Sequence, residues 1–356
     1  MAALDSHQSS SEPLSEPGTP EDQEELYEHH RLEADPGQKP LRVDKFLHNL
    51  LPNTSRNKIQ QAAEAGNIRI NGGTVRSNQK VKGGDLVQVV LAYPPREWEL
   101  VPEAMPLQFE YQDEDVLVVH KEAGRVVHPG HGNYTGTLVH GLLHHFQQLP
   151  GLDQERPGLV HRLDRDTSGL MVIAVNEAAM THLARQFFER STQRRYWALV
   201  WGNVKEDEGT ITGPIGRSPK DRRIFQVYED GKQGKHAVTH YRVLERLGYV
   251  TLVECRLETG RTHQIRVHLK YLGHTLFRDK EYGGDKILKG TTFTKYRQFV
   301  KNCFQICPRQ ALHAKTLGFQ HPRTGEELHF DSPLPADMAA LVERWRNYGQ
   351  NNGSVS

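Results

Sequence analysis

One stretch of ten residues constrains the fold of this chain more than any other: HRLDRDTSGL at 161–170, which leads into the apolar run LMVIA at 170–174. A short, continuous apolar run bounded by turn residues is typical of a strand buried on both faces. The turn ahead of it places two carboxylates, Asp164 and Asp166, beside Arg162. Asp, Thr, Ser and Gly also form ordinary turns, so this stretch alone leaves a structural and a catalytic interpretation open.

Three further segments favour the catalytic interpretation: RRYWALV at 194–200, TGRTHQIRVHL at 259–269 and RQALHA at 309–314. Together with residues 161–170, and in this order, they resemble the RluA-type pseudouridine synthases. The resemblance covers most of the chain and includes an N-terminal segment similar to the S4 RNA-binding domain. It implies an RNA isomerase that converts specific uridines to pseudouridine, most closely the enzymes that modify 23S ribosomal RNA of the large ribosomal subunit.

This reaction breaks the bond from C1′ to N1, turns the uracil and joins C1′ to C5. Because there is no redox change and no external group is transferred, no cofactor is expected. The reaction needs an ionised carboxylate that acts as nucleophile or base. The resemblance assigns that role to Asp164 and makes Arg266 the arginine that pairs with it, since a guanidinium lowers the pKa of a carboxyl group and fixes its orientation. Whether Asp164 attacks C1′ or the uracil ring stays open.

Two other residues are predicted to contact the substrate. Tyr196 matches the family's tyrosine that stacks on uracil, and base stacking on an aromatic ring contributes about 1–3 kcal/mol. A uridine in structured RNA must first be flipped out of its stack. By resemblance Arg162 occupies the space that the flipped base leaves, although a simple phosphate contact is an alternative.

Two other classes of function compete with this one. A non-catalytic RNA-binding or ribosome-assembly protein would not need Asp164, Tyr196 and Arg266 together. A glycoside hydrolase would use Asp164 and Asp166 as a carboxylate pair, but the position of Asp166 ahead of Thr167 suits the closing of a turn. A hydrolase also leaves the basic N-terminal module without a purpose.

The net charge of +1 hides an asymmetry along the chain. Residues 1–39 hold ten acidic and two basic side chains, a net charge of −8, which leaves +9 for the remainder. This acidic, Ser/Pro-rich tail has few large apolar side chains, so we predict that it is disordered. The basic remainder fits a polyanionic partner such as RNA.

Residues 40–92 are predicted to form a small S4-like α/β domain. Two short helical patterns precede alternating apolar residues and an Asn71-Gly72 turn, which favours two helices and a hairpin. The predicted RNA-binding face consists of Arg42, Lys45, Arg56, Lys58 and Arg69. Proline-rich residues 93–106 are predicted to be a linker.

Residues 107–348 are predicted to form the α+β catalytic domain, followed by a tail at 349–356. Short apolar strands alternate irregularly with few helices, which indicates a pseudouridine-synthase-like mixed or antiparallel sheet. Predicted strands cover 116–120, 170–175, 196–201 and 250–257. Predicted helices cover 177–189, 263–272 and 336–346.

The remaining features bound the cellular setting. Three cysteines do not form a disulfide framework, and no apolar run reaches the roughly 20 residues of a membrane span. We therefore expect a cytoplasmic protein with reduced thiols, no membrane contact and a monomeric state. The 20 histidines suggest metal binding, but the His128 and His131 region lacks acidic partners at ligand spacing, so no metal is expected. The expected partner is RNA, as large-subunit ribosomal RNA or a pre-ribosomal particle.

Overall fold

The structure is a computed structural model that describes residues 27–51, 54, 56–91, 100–130, 132–146, 149–151, 156–221, 223–231 and 233–351. The chain divides into two compact units, Met1–Glu99 and Leu100–Ser356. Both mix helices and strands, which confirms the predicted α+β class. Within the described residues, no helix combines the length and apolar composition needed to cross a bilayer.

The first unit has two helices beside a small sheet. Its elements are β1 (Tyr27–Glu33), β2 (Leu41–Arg42), α1 (Val43–Leu50), α2 (Arg56–Glu64), β3 (Ile68–Ile70), β4 (Gly73–Thr74), β5 (Lys80–Val81) and β6 (Leu86–Leu91). The sheet order is β1-β6-β3-β4, and β2 pairs with β5. Asn71 and Gly72 have φ angles of 51° and 83°, so the predicted turn between β3 and β4 is present.

The predicted disorder of residues 1–39 is wrong for its last part. Strand β1 pairs antiparallel with β6, Leu32 packs against the core and Ala34 is buried. An edge strand gains its backbone hydrogen bonds from its neighbour and needs few apolar side chains, so averaging the composition over 39 residues hid it. Residues 1–26 lie outside the described residues.

The second unit is built on a sheet of nine strands. Its strands are β7 (Gln108–Gln112), β8 (Val116–Lys121), β9 (Ser168–Ala174), β10 (Gln193–Trp201), β11 (Glu208–Thr212), β12 (Ile215–Arg217), β13 (Phe225–Val227), β14 (Val238–Arg246), β15 (Val250–Leu257), β16 (Leu312–Gln320) and β17 (Glu327–Asp331). Its helices are α3 (Leu138–His145), α4 (Glu177–Glu189), α5 (Gln264–Tyr271), α6 (Thr294–Ile306) and α7 (Ala336–Asn351). The sheet order is β11-β14-β15-β10-β16-β9-β8-β7, with β17 on β16 and β12–β13 a separate pair.

The sheet is mixed, which is one of the two arrangements predicted: β16 runs parallel to β9, and the other described strand pairs are antiparallel. All seven residues of β9 are buried, which confirms the strand predicted from its apolar run. The sheet order brings the starts of β9 and β16 together although they lie more than a hundred residues apart in the chain. Apolar side chains of β8, β9, β10 and α3 share one core cluster around these strand ends.

The domain boundary differs from the predicted one. Residues 93–99 of the predicted linker lie outside the described residues, but residues 100–106 belong to the second unit. Leu100 packs against its core, and the N–H of Glu103 donates to the carbonyl of His140 at 3.0 Å. Helix α7 continues to Asn351, into the predicted tail. Cys255, Cys303 and Cys307 are buried and unpaired.

Candidate active site

The turn at 161–167 projects Asp164 from the start of β9. The N–H of Thr167 donates to the carbonyl of Asp164 at 3.1 Å and closes the turn. A glycine is required at position 169, just after this turn. Its φ is 122°, and β16 passes so close that a Cβ atom would lie 2.3 Å from the carbonyl oxygen of Ala314. The carboxylate of Asp164 is 18% exposed, so it is held at the surface of a cavity rather than in the core.

Buried Lys121, at the end of β8, supports this turn from one side. Its Nζ donates to the carbonyls of Glu122 at 2.8 Å, Arg125 at 2.9 Å and Arg165 at 2.8 Å. Burial lowers the pKa of Lys121 to about 7, against the opposing effect of the charge on Asp164. The three carbonyls accept hydrogen bonds from all three donors of the ammonium group. Lys121 therefore joins the segment after β8 to the turn that carries Asp164.

Arg309 supports the turn from the other side. It donates to the carbonyl of Asp166 at 3.0 Å and to Ser168 Oγ at 3.2 Å, and it binds Asp337 through two bonds of 2.7 and 3.0 Å. Arg309 is 8% exposed. The backbone of Asp166 therefore anchors the turn, and Asp166 is not among the residues that line the cavity.

Arg266, in the first turn of α5, faces Asp164. Its Nη1 donates to Asp164 Oδ2 at 3.3 Å, while Nε and Nη2 bind Asp279 at 2.7 and 2.8 Å. Nη2 also donates to Glu281. Burial disfavours the charge of Arg266, but the hydrogen bonds and charge of Asp279 outweigh that effect and raise its pKa. The guanidinium is therefore permanently charged beside Asp164.

His263 lies on the other side of Asp164. It precedes α5 in a left-handed conformation with φ of 56°, and its Nε2 is 4.0 Å from Asp164 Oδ1. Its Nδ1 is 2.8 Å from the hydroxyl of Tyr282, which also accepts the N–H of Phe225 at 3.0 Å. Burial lowers the pKa of His263, so the ring is neutral at neutral pH. The hydroxyl is free to donate to Nδ1, which favours the tautomer with its proton on Nε2, facing Asp164.

The predicted catalytic and substrate-binding residues converge on one cavity of about 430 Å³, which Arg162, Asp164, Tyr196 and Arg266 all line. Tyr196 projects from β10, is 7% exposed, and has its pKa raised by burial, so its hydroxyl stays protonated. Arg162 is exposed and forms no ion pair or hydrogen bond with other described residues. A carboxylate, a fixed guanidinium and an aromatic ring thus share one concave site.

The predicted RNA-binding residues of the first unit have different environments. Arg42 and Arg56 both bind the buried carboxylate of Asp44, at 3.0 and 2.8 Å, so each also has a structural role that the sequence did not reveal. Lys45 is exposed on α1. The Nε of Arg69 is buried without a hydrogen-bond partner among the described residues. Lys58 lies on α2, and its side chain is outside the described set.

Sequence reasoning gave no role to Asp279, Lys121, His263 or Arg309. Asp279 lies in the charged run RDKEYGG at 278–284, where an acidic residue resembles an ordinary surface charge. It is in fact fully buried. His263 and Arg309 lie within the motifs at 259–269 and 309–314, so their positions were a usable signal, whereas the sequence around Lys121 carries none.

One group outside the cavity has metal-ligand chemistry. Ligand atoms of Asp113, Asp115 and His321 all lie within 4.8 Å of one another. They are already engaged, because His321 Nε2 is 2.8 Å from Asp113, and Arg323 binds Asp115 at 2.7 Å. These contacts join the β7–β8 turn to the residues after β16, which is a structural role.

Comparison with known proteins shows the family of this chain. Residues 115–271 match the RNA pseudouridylate synthase family and residues 41–87 match the S4 domain. An uncharacterized RNA pseudouridine synthase of Chlorobaculum parvum is 46% identical over 319 residues, covering 88% of this chain and 97% of that protein. The ribosomal large subunit pseudouridine synthase D of Nitrosomonas europaea is 42% identical over 307 residues, covering 86% of this chain and 85% of that protein.

A solved structure, human RNA pseudouridylate synthase domain containing 4, is 25% identical with a TM-score of 0.50, and the match covers 67% of this chain and 93% of that one. The fold and the site define an RNA-modifying isomerase with an N-terminal S4 domain. The chain belongs to the RluA-type RNA pseudouridine synthases.

Proposed function

We propose that this enzyme isomerises specific uridines of large-subunit ribosomal RNA, with Asp164 as the catalytic carboxylate. The observation that carries this proposal is the contact between Asp164 and Arg266 at 3.3 Å inside the cavity that Tyr196 also lines. A fixed cationic partner stabilises the negative charge of a carboxylate and sets its orientation, which suits nucleophilic or base chemistry. Asp164 makes only one contact with Arg266, so one carboxylate oxygen remains available for the substrate.

The surrounding groups fit the steps of the reaction. The glycosidic bond from C1′ to N1 breaks, the uracil turns, and a bond from C1′ to C5 forms as C5 loses a proton and N1 gains one. The Tyr196 ring offers a stacking surface for the uracil during this turn. Its protonated hydroxyl and the Nε2–H of His263 are hydrogen-bond donors beside the carboxylate.

The substrate base must leave the RNA stack to reach Asp164, because the cavity lies in a folded domain that a base within a duplex cannot enter. Exposed Arg162 is next to Asp164 at the cavity surface, in a position to fill the space that the flipped uridine vacates. The assignment to large-subunit ribosomal RNA is supported by relatives such as the ribosomal large subunit pseudouridine synthase D of Nitrosomonas europaea. The S4 domain supplies a second RNA contact.

The test is a pseudouridine map of total RNA from cells that lack the gene, with the wild-type chain or a variant reintroduced. We expect wild type to restore discrete sites in large-subunit ribosomal RNA, Asp164→Asn to restore none, and Asp166→Asn to behave as wild type. Sites in transfer RNA instead would overturn the substrate. Restoration by Asp164→Asn would overturn the role of Asp164, and release of free uracil would indicate a hydrolase.

A further inference from the structure

The cavity continues beyond Asp164 to the C-terminal end of α4. We call this part the α4 subsite and define it by five residues that all line the cavity: His161, Phe187, Phe188, Arg190 and Arg194. None of them has a role in the proposed reaction.

Phe188 offers an exposed aromatic ring at the cavity. The residue is 87% exposed and is one of those that line the cavity. The preceding Phe187 does pack, because its ring is stacked on His161 with centroids 4.6 Å apart. Arg190 ends the helix in a left-handed conformation with φ of 62°. An exposed aromatic face therefore lies beside an exposed arginine at the edge of the cavity.

Arg194 is a buried charge with no anionic partner in the part of the chain that the structure describes. It is 7% exposed, its guanidinium carbon lies 5.1 Å from the centre of the Phe187 ring, and it forms no ion pair with another described residue. Its Nε also lacks a hydrogen-bond partner within the described part of the chain. A buried cation with no counter-ion is costly, so this arrangement points to a ligand that supplies negative charge.

His161 adds a second unsatisfied donor. Its Nε2 accepts the N–H of Val172 at 3.1 Å, and burial lowers its pKa to about 3, so the ring is neutral and carries its proton on Nδ1. That Nδ1 is buried and lacks a partner among the described residues. The subsite thus combines an exposed aromatic face and two arginines with a buried histidine N–H group that has no partner in the described part of the chain.

We infer that the α4 subsite binds the nucleotide next to the target uridine, with its base stacked on Phe188 and its phosphate held by Arg190 and Arg194. Single-stranded nucleic acid is recognised by this combination of aromatic faces and cations. The inference rests on the proposed function for the orientation of the RNA: with the target uridine at Asp164, a chain that continues through the cavity passes the end of α4.

The first test measures the stacking of a base at position 188. The full-length chain with Phe188→Trp is titrated with a ten-residue oligouridylate, and indole fluorescence is compared with that of Phe293→Trp. Phe293 is a suitable control because it is 72% exposed and does not line this cavity. We expect quenching of the indole at position 188 and none at position 293. In the isomerase assay, Phe188→Ala should weaken the apparent affinity for RNA about tenfold, with an unchanged rate at saturation. Equal fluorescence responses would overturn the subsite.

The second test measures the phosphate contact of Arg190. Arg190→Asn keeps a residue type that tolerates the left-handed conformation. It should reduce the slope of log affinity against log salt concentration by about 0.7, the value for one phosphate contact on a single strand. Arg185→Gln is the matched control, because Arg185 lies on the same helix and is exposed and paired with Glu189. An unchanged slope for Arg190→Asn would contradict the phosphate contact.

These tests separate the two proposals. If wild type forms pseudouridine while Phe188→Trp shows no quenching and Arg190→Asn keeps its salt slope, the subsite is wrong and the proposed function stands. If wild type forms no pseudouridine in any RNA, the proposed function is wrong, and the oligouridylate titration still decides whether the subsite binds nucleotides.

Discussion

Arg266 makes two hydrogen bonds to Asp279, at 2.7 and 2.8 Å, but only one to Asp164, at 3.3 Å. The orientation of the guanidinium is therefore set by Asp279, which is fully buried. Asp164 thus has a fixed positive charge 3.3 Å from Oδ2, while its Oδ1 lies 4.0 Å from His263 Nε2, beyond hydrogen-bond distance. Asp279 is thus a positioning residue that acts on Asp164 through Arg266.

We predict that Asp279→Asn impairs both folding and reaction. Removing one partner of a buried ion pair costs about 3–5 kcal/mol of the free energy of unfolding. The reoriented Arg266 should also lower kcat by at least about tenfold, since misplacement of a catalytic group weakens transition-state stabilisation. Urea unfolding and single-turnover kinetics measure the two effects.

Glu281→Gln is the control, because Glu281 also binds Arg266 but its side chain is 48% exposed. Its loss should change the free energy of unfolding by less than about 1 kcal/mol. Equal effects of Glu281→Gln and Asp279→Asn would contradict the primary role of Asp279.

Substitutions of Tyr196 should separate the ring from the hydroxyl. Tyr196→Phe keeps the stacking surface, so we expect KM to stay near the wild-type value while kcat falls if the hydroxyl moves or orients a proton in the reaction. Tyr196→Leu also removes the aromatic face and should raise KM about tenfold. Tyr241→Phe, at another buried tyrosine outside the cavity, should leave both constants unchanged. A normal kcat for Tyr196→Phe would restrict this residue to stacking.

Stability should fall with acid because of buried His313. Its Nδ1 lies 2.9 Å from Ser168 Oγ and its Nε2 lies 3.1 Å from Ser332 Oγ. Burial, followed by the charge of Arg309, lowers its pKa from 6.5 to about 4. Between pH 6.5 and pH 4 this histidine is protonated in the unfolded chain but neutral in the folded chain. The free energy of unfolding therefore decreases by up to about 1.4 kcal/mol per pH unit as the pH falls through this range. Below pH 4 this contribution is constant.

Denaturant unfolding between pH 7 and pH 4 measures this slope. His313→Gln should reduce the slope, because glutamine can hydrogen-bond to both serines and does not titrate there. His329→Gln, at an exposed histidine on β17, should leave it as in wild type. An identical slope in His313→Gln would show that other groups govern the acid sensitivity.

In the S4 unit we predict that substitution of one basic residue lowers stability and that substitution of another weakens RNA binding. Hydrogen bonds from Arg56, Gln60 and Arg42 outweigh the burial of Asp44 and hold its pKa well below its usual range. Arg56→Gln should therefore destabilise the unit, by about 1–3 kcal/mol, because it leaves a buried carboxylate short of a partner. Lys45→Gln should not affect stability but should weaken RNA binding and reduce its salt dependence. Thermal unfolding and RNA titrations at several salt concentrations distinguish them, and a loss of stability in Lys45→Gln would contradict this assignment.

Local patterns were enough to predict much of this protein. The apolar run of β9, the exact limits of α4 and β15, and the turn at Asn71-Gly72 follow from periodicity and turn chemistry, because these depend on neighbours in the sequence. The motif residues Asp164, Tyr196 and Arg266 could be selected as candidates for the same reason: each lies in a segment with a distinctive residue order. The structure places all three at one cavity.

Tertiary structure alone decided which groups hold these residues. Asp279 and Lys121 lie 115 and 43 residues from Asp164 in the numbering, and only the sheet order and the packing of α5 bring them to the site. Strand β1 likewise depends on β6, and only the structure shows that Arg194 is buried without an ion-pair partner among the described residues. The sequence thus determined which chemical groups this chain has available. Burial and long-range pairing decided which charges are paired and which carboxylate faces the cavity. The reason is that solvation and electrostatics depend on neighbours in space.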